Sequence, residues 1–353
     1  MLSFAGFPLT MNIALFAAAA AVVWFAGSRL ADYADQISHA TGLGQAVIGI
    51  ILLAGVTSLP EIAVTATASL AGSAELAVNN LFGSIALQVA LLAIVDFMIG
   101  RRALTAVVPE PSVLLEGSLN VILLAVVAAA ITVGDVAFLG AGVWSWACLL
   151  LYLACVWVLS NAEGKQPWLA AHKGQVQRDL IAAARPQDHD GARPKMSSLY
   201  AKTGAVAAAI LVAGFVLARS GEAIAEQTGL GLSFVGFVLI AFATSLPELS
   251  AALAVARRGL YTMAISDILG TNLINIALVF VADLLDPGEP VLSRVGQFSV
   301  MGAMLAIVVT ALFQAGLAER RDRSVFRLGY DSVLVVITYA GGVLLLYTLR
   351  PDR

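Results

Sequence analysis

Two stretches of this chain hold oxygen-bearing side chains in an otherwise apolar setting. Thr57-Ser58-Leu59-Pro60-Glu61 occurs once, and Thr244-Ser245-Leu246-Pro247-Glu248 repeats it 187 residues later. Proline has no N–H and its ring crowds the carbonyl four residues earlier. Inside a helix, Pro60 would therefore free the carbonyl of Val56, and Pro247 that of Ala243. In a membrane such carbonyls must find another partner. A hard cation such as Ca²⁺ takes six to eight oxygens, and a carboxylate, two hydroxyls and loose carbonyls within a few residues are ligands of that kind. Glu61 and Glu248 carry the charge. Each costs about 2.5 to 3.5 kcal/mol to place near the bilayer centre, and two such residues at matching positions are hard to explain as packing.

A second polar set follows each motif about one bilayer crossing later. On a helix, a spacing of four places Asn80, Ser84 and Gln88 on one face, and Asp267, Thr271 and Asn275 on its counterpart. Gly83 and Gly270 remove side chains where a neighbouring backbone can come close. Ser, Thr, Asn and Gln also join membrane helices by simple hydrogen bonds. The recurrence of the same face beside a buried glutamate in both halves favours an ion site made by internal duplication.

The elements that must position these residues are membrane helices. Of 353 residues, 60% are hydrophobic and 12% charged, with a mean hydropathy of +0.91; a soluble enzyme of this length carries about twice that charged fraction. The fold class expected is an all-α membrane protein of about ten transmembrane helices, arranged as two inverted five-helix repeats. The spans are read at 7–28, 44–70, 74–99, 113–133 and 136–159, then 199–218, 232–255, 263–285, 295–315 and 329–349. Residues 1–160 make the first half, 161–197 a polar linker, and 198–353 the second half. The first span lacks a basic start, which argues against a signal peptide, although a cleaved leader is the alternative. Within the linker, 168–184 is weakly amphipathic and reads either as a helix on the membrane surface or as a solvated loop. Aligned without a gap from Ala54/Ala241 to Asp96/Asp283, the two central stretches are identical at 12 of 43 positions. Shared Ala and Leu do not account for the run Thr-Ser-Leu-Pro-Glu.

Basic residues set the orientation. The connections after spans one, three, five, seven and nine hold 16 of the 20 Lys and Arg, while the other side holds Arg219, Arg294, Arg350 and Arg353. The linker is thus expected in the cytoplasm and both termini outside, in a multi-pass protein of the cell membrane. Because five is odd, the halves enter the membrane in opposite senses, which places a shared site near the midplane. Cys148 and Cys155 lie in one apolar run and read as small apolar residues, not as a disulfide or cysteine metal framework.

At these residues the chain resembles the cation/Ca²⁺ exchanger superfamily, whose members include Na⁺/Ca²⁺, Na⁺/Ca²⁺-K⁺ and H⁺/Ca²⁺ antiporters. The helix pattern of nearly the whole chain takes part, and the specific motifs cover about 35 residues in each half. The resemblance implies Glu61 and Glu248 as central cation ligands. It implies Thr57, Ser58, Thr244 and Ser245 as hydroxyl or carbonyl donors, and Ala54 and Ala241 as carbonyl donors. Ser84 and Thr271 become further ligands, with Gln88 and Asn275 at the amide positions; Asp267 and Asn80 are additional candidates. It also implies an antiporter exchanging Ca²⁺ for Na⁺ by alternating access, with an H⁺-coupled divalent cation antiporter as the alternative, and with motion of helices one and six over a fixed core. The transported cations and the bilayer are the expected partners; no cofactor and no nucleic acid are expected, and a monomer is the expected assembly.

The chain departs from the family pattern where Gly-Asn-x-x-Gly-Ser-Asn is common: it reads Asn79-Asn80-Leu81-Phe82-Gly83-Ser84-Ile85 and Ser266-Asp267-Ile268-Leu269-Gly270-Thr271-Asn272. Close Na⁺/Ca²⁺ relatives commonly carry an acid where Gln88 or Asn275 stands, and this chain has one at neither. Two carboxylates neutralise one Ca²⁺ and leave one charge fewer for several Na⁺, unless Asp267 restores it. Asp96 and Asp283 lie near helix ends and read as capping or interfacial groups. Glu116 is placed to pair with Arg101 or Arg102, and Glu222 and Glu226 read as residues of an outer, solvated turn. His39, His172 and His189 all fall in polar connections, and no H-E-x-x-H motif is present. A hydrolase is therefore disfavoured and the chain is read as a transporter, not an enzyme.

Overall fold

A computed structural model of the protein describes residues 4–41, 55, 57–99, 103–108, 112–162, 196–257, 259, 261–319, 324–325 and 327–350. Long apolar runs form helices because only a helix satisfies every backbone donor and acceptor of a membrane span within the segment itself. The first half contains α1 (Leu9–Thr41), α2 (Leu59–Leu70), α3 (Ala74–Ile99), α4 (Ser112–Val133) and α5 (Val143–Ala162). The second contains α6 (Met196–Thr228), α7 (Leu232–Thr244), α8 (Leu246–Arg257), α9 (Tyr261–Leu285), α10 (Gln297–Glu319) and α11 (Tyr330–Thr348). Eight of these are long and apolar enough to cross a membrane, and α7 with α8 forms a ninth span bent by 41°. The tenth expected span, 44–70, is represented by α2 alone, since 44–54 lie outside the described residues.

A constant offset of 187 residues relates the halves. It carries α1 onto α6, α2 onto α8, and the single turn Leu104–Val107 onto Val291–Arg294. It also carries the hairpin of β1 (Ala137–Phe138) and β2 (Ala141–Gly142) onto that of β3 (Ser324–Val325) and β4 (Leu328–Gly329). The helix breaks match as well: Ser58 has φ −73° and ψ 1°, and Ser245 φ −80° and ψ 2°. Each break lies two residues before its proline, so Pro60 and Pro247 fall in the first turn of the new helix, where a missing N–H is tolerated.

Several boundaries differ from expectation. The link expected at 29–41 is the helical continuation of α1, and α6 likewise runs ten residues past 218. The fifth span begins at Val143, not 136. Asp135 explains this, because its carboxylate accepts the N–H groups of Val136 (2.8 Å) and Trp144 (3.0 Å) and folds 137–142 into the hairpin. Gly134 and Gly140 supply the positive φ that the hairpin needs. Arg219, expected in a connection, is a buried residue of α6 paired with Glu222 at 2.8 Å. Glu222, expected on a solvated turn, also accepts the hydroxyl of Ser73.

Helices α3 and α9 run through the centre, with α4, α7 and α10 packed around them and α1, α5, α6 and α11 outermost. A π-helical turn, Gly236–Ile240, lets α7 press on α3. A side chain at Gly83 would lie 2.1 Å from the carbonyl oxygen of Phe237, and one at Gly236 would lie 2.8 Å from that of Leu76. Two aspartates fasten the ends of the bundle. Asp96 accepts the N–H of Leu104 and, from the other half, that of Gly329, each at 2.6 Å. Its counterpart Asp283 accepts Val291 at 2.8 Å and, again from the other half, Gly142 at 2.5 Å. Both acids are thus backbone clamps, in keeping with the capping or interfacial role expected from their position.

Helices α1 and α6 pack on each other and reach the inner helices through glycines. Gly27 lies against the Pro247 ring, where an added Cβ would come within 2.4 Å. Its counterpart Gly214 lies not against Pro60 but against Ala63, at 2.3 Å. The two contacts are therefore out of register by three residues, close to one helical turn.

Candidate cation site

The two helix breaks bring the two glutamates together. Glu61 and Glu248 sit in the first turns of α2 and α8, both fully buried. The hydroxyls of Ser84 and Thr244 approach Glu61, and that of Thr57 approaches Glu248, while Glu61 and Asp267 are the charged groups nearest Glu248. None of the four glutamate oxygens has a partner in hydrogen-bond geometry, and among the described residues neither glutamate is ion-paired. Two buried, adjacent, uncompensated carboxylates are not tolerated as bare charges. Protons or a cation must balance them.

The oxygens around this pair come from four helices. Ser84 Oγ and Thr244 Oγ1 are 3.3 Å apart, and Thr244 Oγ1 is 3.4 Å from Asn80 Oδ1. Gln88 Nε2 donates to Ser245 Oγ at 3.2 Å. The carbonyl of Ala241 accepts from Thr244 Oγ1 at 3.3 Å and from the Ser245 N–H at 3.0 Å. Residues 80, 84 and 88 of one half thus meet 244 and 245 of the other. Thr57 and Ser58 are buried as well, whereas Ala54 and the Val56 carbonyl lie outside the described residues.

On α9 the matching side chains are equally buried but not knitted. Thr271 Oγ1, both side-chain polar atoms of Asn275, and one oxygen of Asp267 have no hydrogen-bond partner. Asp267 lies in the second turn of α9, next to Ser266, whose hydroxyl donates to Glu116 at 3.0 Å. The expected pairing of Glu116 with Arg101 or Arg102 involves residues outside those described. Among the described residues no three Asp, Glu, His or Cys side chains form one metal-holding group, so the centre is two carboxylates surrounded by neutral oxygens.

Sequence reasoning passed over Asn272, which is fully buried with both polar atoms unpartnered. Its counterpart is Ile85, and the intrusion of an amide into an apolar register was the available signal. Thr65, Ser69 and Asn79 were passed over too, although 65 and 69 continue the four-residue spacing of Glu61 outward.

The model of the sodium/calcium exchanger protein family matches residues 11–161 and 201–348. Inner membrane protein YrbG of Escherichia coli is 28% identical over 293 residues, covering 82% of this chain and 85% of that protein. A putative antiporter, CaxA of Alkalimonas amylolytica, is 26% identical over 304 residues, covering 82% and 86%. Among solved structures, the sodium-calcium exchanger NCX_Mj soaked with Na⁺ and Sr²⁺ matches with a TM-score of 0.56 at 17% identity, covering 96% of this chain and 99% of that one. The H⁺/Ca²⁺ exchanger CAX matches with a TM-score of 0.63 at 15% identity, covering 96% and 85%. At such identities these structures speak to the fold.

Proposed function

The chain belongs to the sodium/calcium exchanger protein family and is a multi-pass membrane antiporter of cations, and from that premise we propose that it exchanges Ca²⁺ for Na⁺ by alternating access. The observation that carries the reading is the buried, unpaired couple Glu61 and Glu248, surrounded by neutral oxygens from both halves. Two carboxylates balance one Ca²⁺. When it leaves, two monovalent charges restore the same site charge, whether two Na⁺ or two protons on the glutamates. A third Na⁺ would leave a positive site in a poorly hydrated space, at high cost, unless Asp267 contributes its charge.

In this reading Glu61 and Glu248 are the central ligands. Thr57, Ser58, Thr244, Ser245, Ser84 and Thr271 supply hydroxyl or carbonyl oxygens, and Ala54 and Ala241 supply carbonyls. Gln88 and Asn275 turn amide oxygens to the ion, with Asn80 beside them. The halves 1–160 and 198–353 act as the two jaws of the site, the linker 161–197 faces the cytoplasm, the termini face outward, and the monomer is sufficient. Alternating access comes from sliding of α1 and α6 over the other helices. In support, the pair is outermost, meets the broken helices closely at Gly27 and Gly214, and makes those two contacts in registers that differ by about one turn.

Membership of the sodium/calcium exchanger family supports reading Na⁺ ahead of H⁺, and the likeness to an H⁺/Ca²⁺ exchanger supports H⁺ coupling as the second reading. Purified protein in liposomes should take up Ca²⁺ when an outward Na⁺ gradient is imposed, and not when only a pH gradient is. Uptake driven by pH and indifferent to Na⁺ would place it with H⁺-coupled antiporters. Absence of Ca²⁺ uptake under either gradient would defeat the substrate assignment itself. Cross-linking α1 to α8 should stop flux and leave equilibrium Ca²⁺ binding intact; undiminished flux after complete cross-linking would count against the sliding motion.

A further inference from the structure

Many hydroxyl side chains in these helices bond back to their own backbone. Ser28, Ser118, Thr203, Ser220, Thr228 and Thr310 each donate to the carbonyl four residues back in their own helix, at 2.6 to 2.9 Å. Such back-bonding is the cheapest way to satisfy a hydroxyl away from water. Thr65 and Ser69 do not: both are fully buried in α2 and neither hydroxyl has a partner, a state shared among the described helix hydroxyls with Ser145, Thr271 and Ser299, but only these two lie on one face in line with a central glutamate. Asn79 Oδ1 on α3 is likewise buried and unpartnered, its amide nitrogen being spent on the carbonyl of Glu75.

These three positions are aligned. Glu61, Thr65 and Ser69 recur every four residues, so they form one stripe along α2. Helices α2 and α3 are antiparallel, joined by the tight turn 71–73 in which Gly72 has φ +77°. Residues equidistant from that turn are level, which puts Thr65 beside the height of Asn79, and Ser69 beside that of Glu75. Three residues beyond Ser69, the turn borders a cavity of about 180 Å³ lined by Gly72, Ser73, Ala74, Glu75, Leu232 and Arg294. Glu75 accepts the Ser233 hydroxyl there at 2.9 Å, Arg294 donates to the Gly72 carbonyl at 2.6 Å, and Ser73 donates to Glu222 of α6.

The other half has no such stripe. The counterparts of Thr65 and Ser69 on α8 are Ala252 and Ala256, both buried. The two approaches to the glutamates are therefore chemically different, although the duplication began with them alike.

We propose that Thr65, Ser69 and Asn79 line a cation-conducting branch running from Glu61 to the Ser73–Glu75 cavity, a one-sided access route that hands a partly dehydrated hard cation from oxygen to oxygen. The proposal rests on the exchanger reading given above. Partnerless oxygens at two levels one turn apart, Ser69 and then Thr65 with Asn79, between a cavity and a buried acid are what such an ion requires: a donor within reach at each step and no charge to trap it on the way. Residues 65 and 69 keep their hydroxyls free because back-bonding would turn the oxygens away from the route.

Single cysteines in a Cys148→Ala, Cys155→Ala background, in lipid nanodiscs, test this. Thr65→Cys and Ser69→Cys should react with a small cationic methanethiosulfonate at least tenfold faster than Ala252→Cys and Ala256→Cys, and millimolar Ca²⁺ should slow them at least fivefold. In liposomes, Thr65→Val should cut Ca²⁺ flux about tenfold with equilibrium Ca²⁺ binding within twofold of wild type, and Thr65→Ser should restore flux. Equal reaction rates at all four positions while Ser73→Cys reacts readily, or labelling at 65 and 69 that ignores Ca²⁺ in protein that binds it, would overturn the branch and leave the exchanger reading standing. A wild-type protein without Ca²⁺ flux would instead remove the reading on which the branch rests.

Discussion

The two sides of the central site differ in how their oxygens are held. On the side where α3 meets α7 and α8, Asn80, Ser84 and Gln88 are engaged with Thr244 and Ser245. On α9, Thr271, Asn272 and Asn275 are as deeply buried and make no hydrogen bond through their side chains. The charge also differs, Asn80 on one side standing against Asp267 on the other. A duplicated motif thus produced one preorganised wall and one wall whose donors are unspent. An ion arriving between them displaces few existing bonds and gains unspent oxygens, which favours binding over a fully self-satisfied pocket.

The strongest way to break the comparison is to remove its shared centre. Glu61→Gln and Glu248→Gln should each lower Ca²⁺ flux by at least ~100-fold, about 2.7 kcal/mol, in protein that inserts and folds; near wild-type flux in either would end the shared-site hypothesis. Next, Asp267→Asn makes the two walls alike in charge. If Asp267 supports the Na⁺-loaded state, Na⁺-driven uptake should fall roughly tenfold, about 1.4 kcal/mol, and Asn80→Asp in the same background should recover part of it. No change in either Na⁺- or pH-driven uptake would separate Asp267 from the coupling.

The clamps offer a third comparison, read by thermal unfolding. Asp96→Asn and Asp283→Asn each weaken two charge-assisted bonds and should cost about 1.5 to 3 kcal/mol, similar in size because the two clamps are built alike; a loss confined to one would show that the symmetry is only geometric. The smallest and most discriminating effect lies in the hydroxyls. Thr244→Val strands Ser84 and Asn80 and should cost about 1 to 3 kcal/mol. Thr271→Val removes an unpartnered hydroxyl and should leave stability within roughly 0.5 kcal/mol, while slowing flux as much as Thr244→Val does. Equal destabilisation by both would erase the distinction between the two walls.

Much of this architecture is legible in the residues because hydrocarbon leaves a chain few choices. Apolar length gives the spans, and a repeated Thr-Ser-Leu-Pro-Glu gives both the duplication and the broken helices. What the pattern hides is anything decided across helices. The bonds from Gln88 to Ser245 and from Ser84 to Thr244 depend on how α3 meets α7, which a π turn and two facing glycines fix. The hairpin at 137–142 is concealed because its side chains are as apolar as a helix, and the decisive residue is the single carboxylate of Asp135. Thr65 and Ser69 look like ordinary helix hydroxyls until their missing back-bonds are seen in three dimensions.

The crossed clamps also bear on how the protein is made. Asp96 draws one of its two backbone donors from Gly329, 233 residues further along the chain. At roughly 5 to 20 residues per second of synthesis, a ribosome needs on the order of 10 to 50 s to supply it. Throughout that interval the first half sits in the bilayer with an acid whose final donor does not yet exist. Neither half can finish alone, and the bundle closes as the last hairpin is made, so truncation ahead of Gly329 should leave the first half inserted but unsealed.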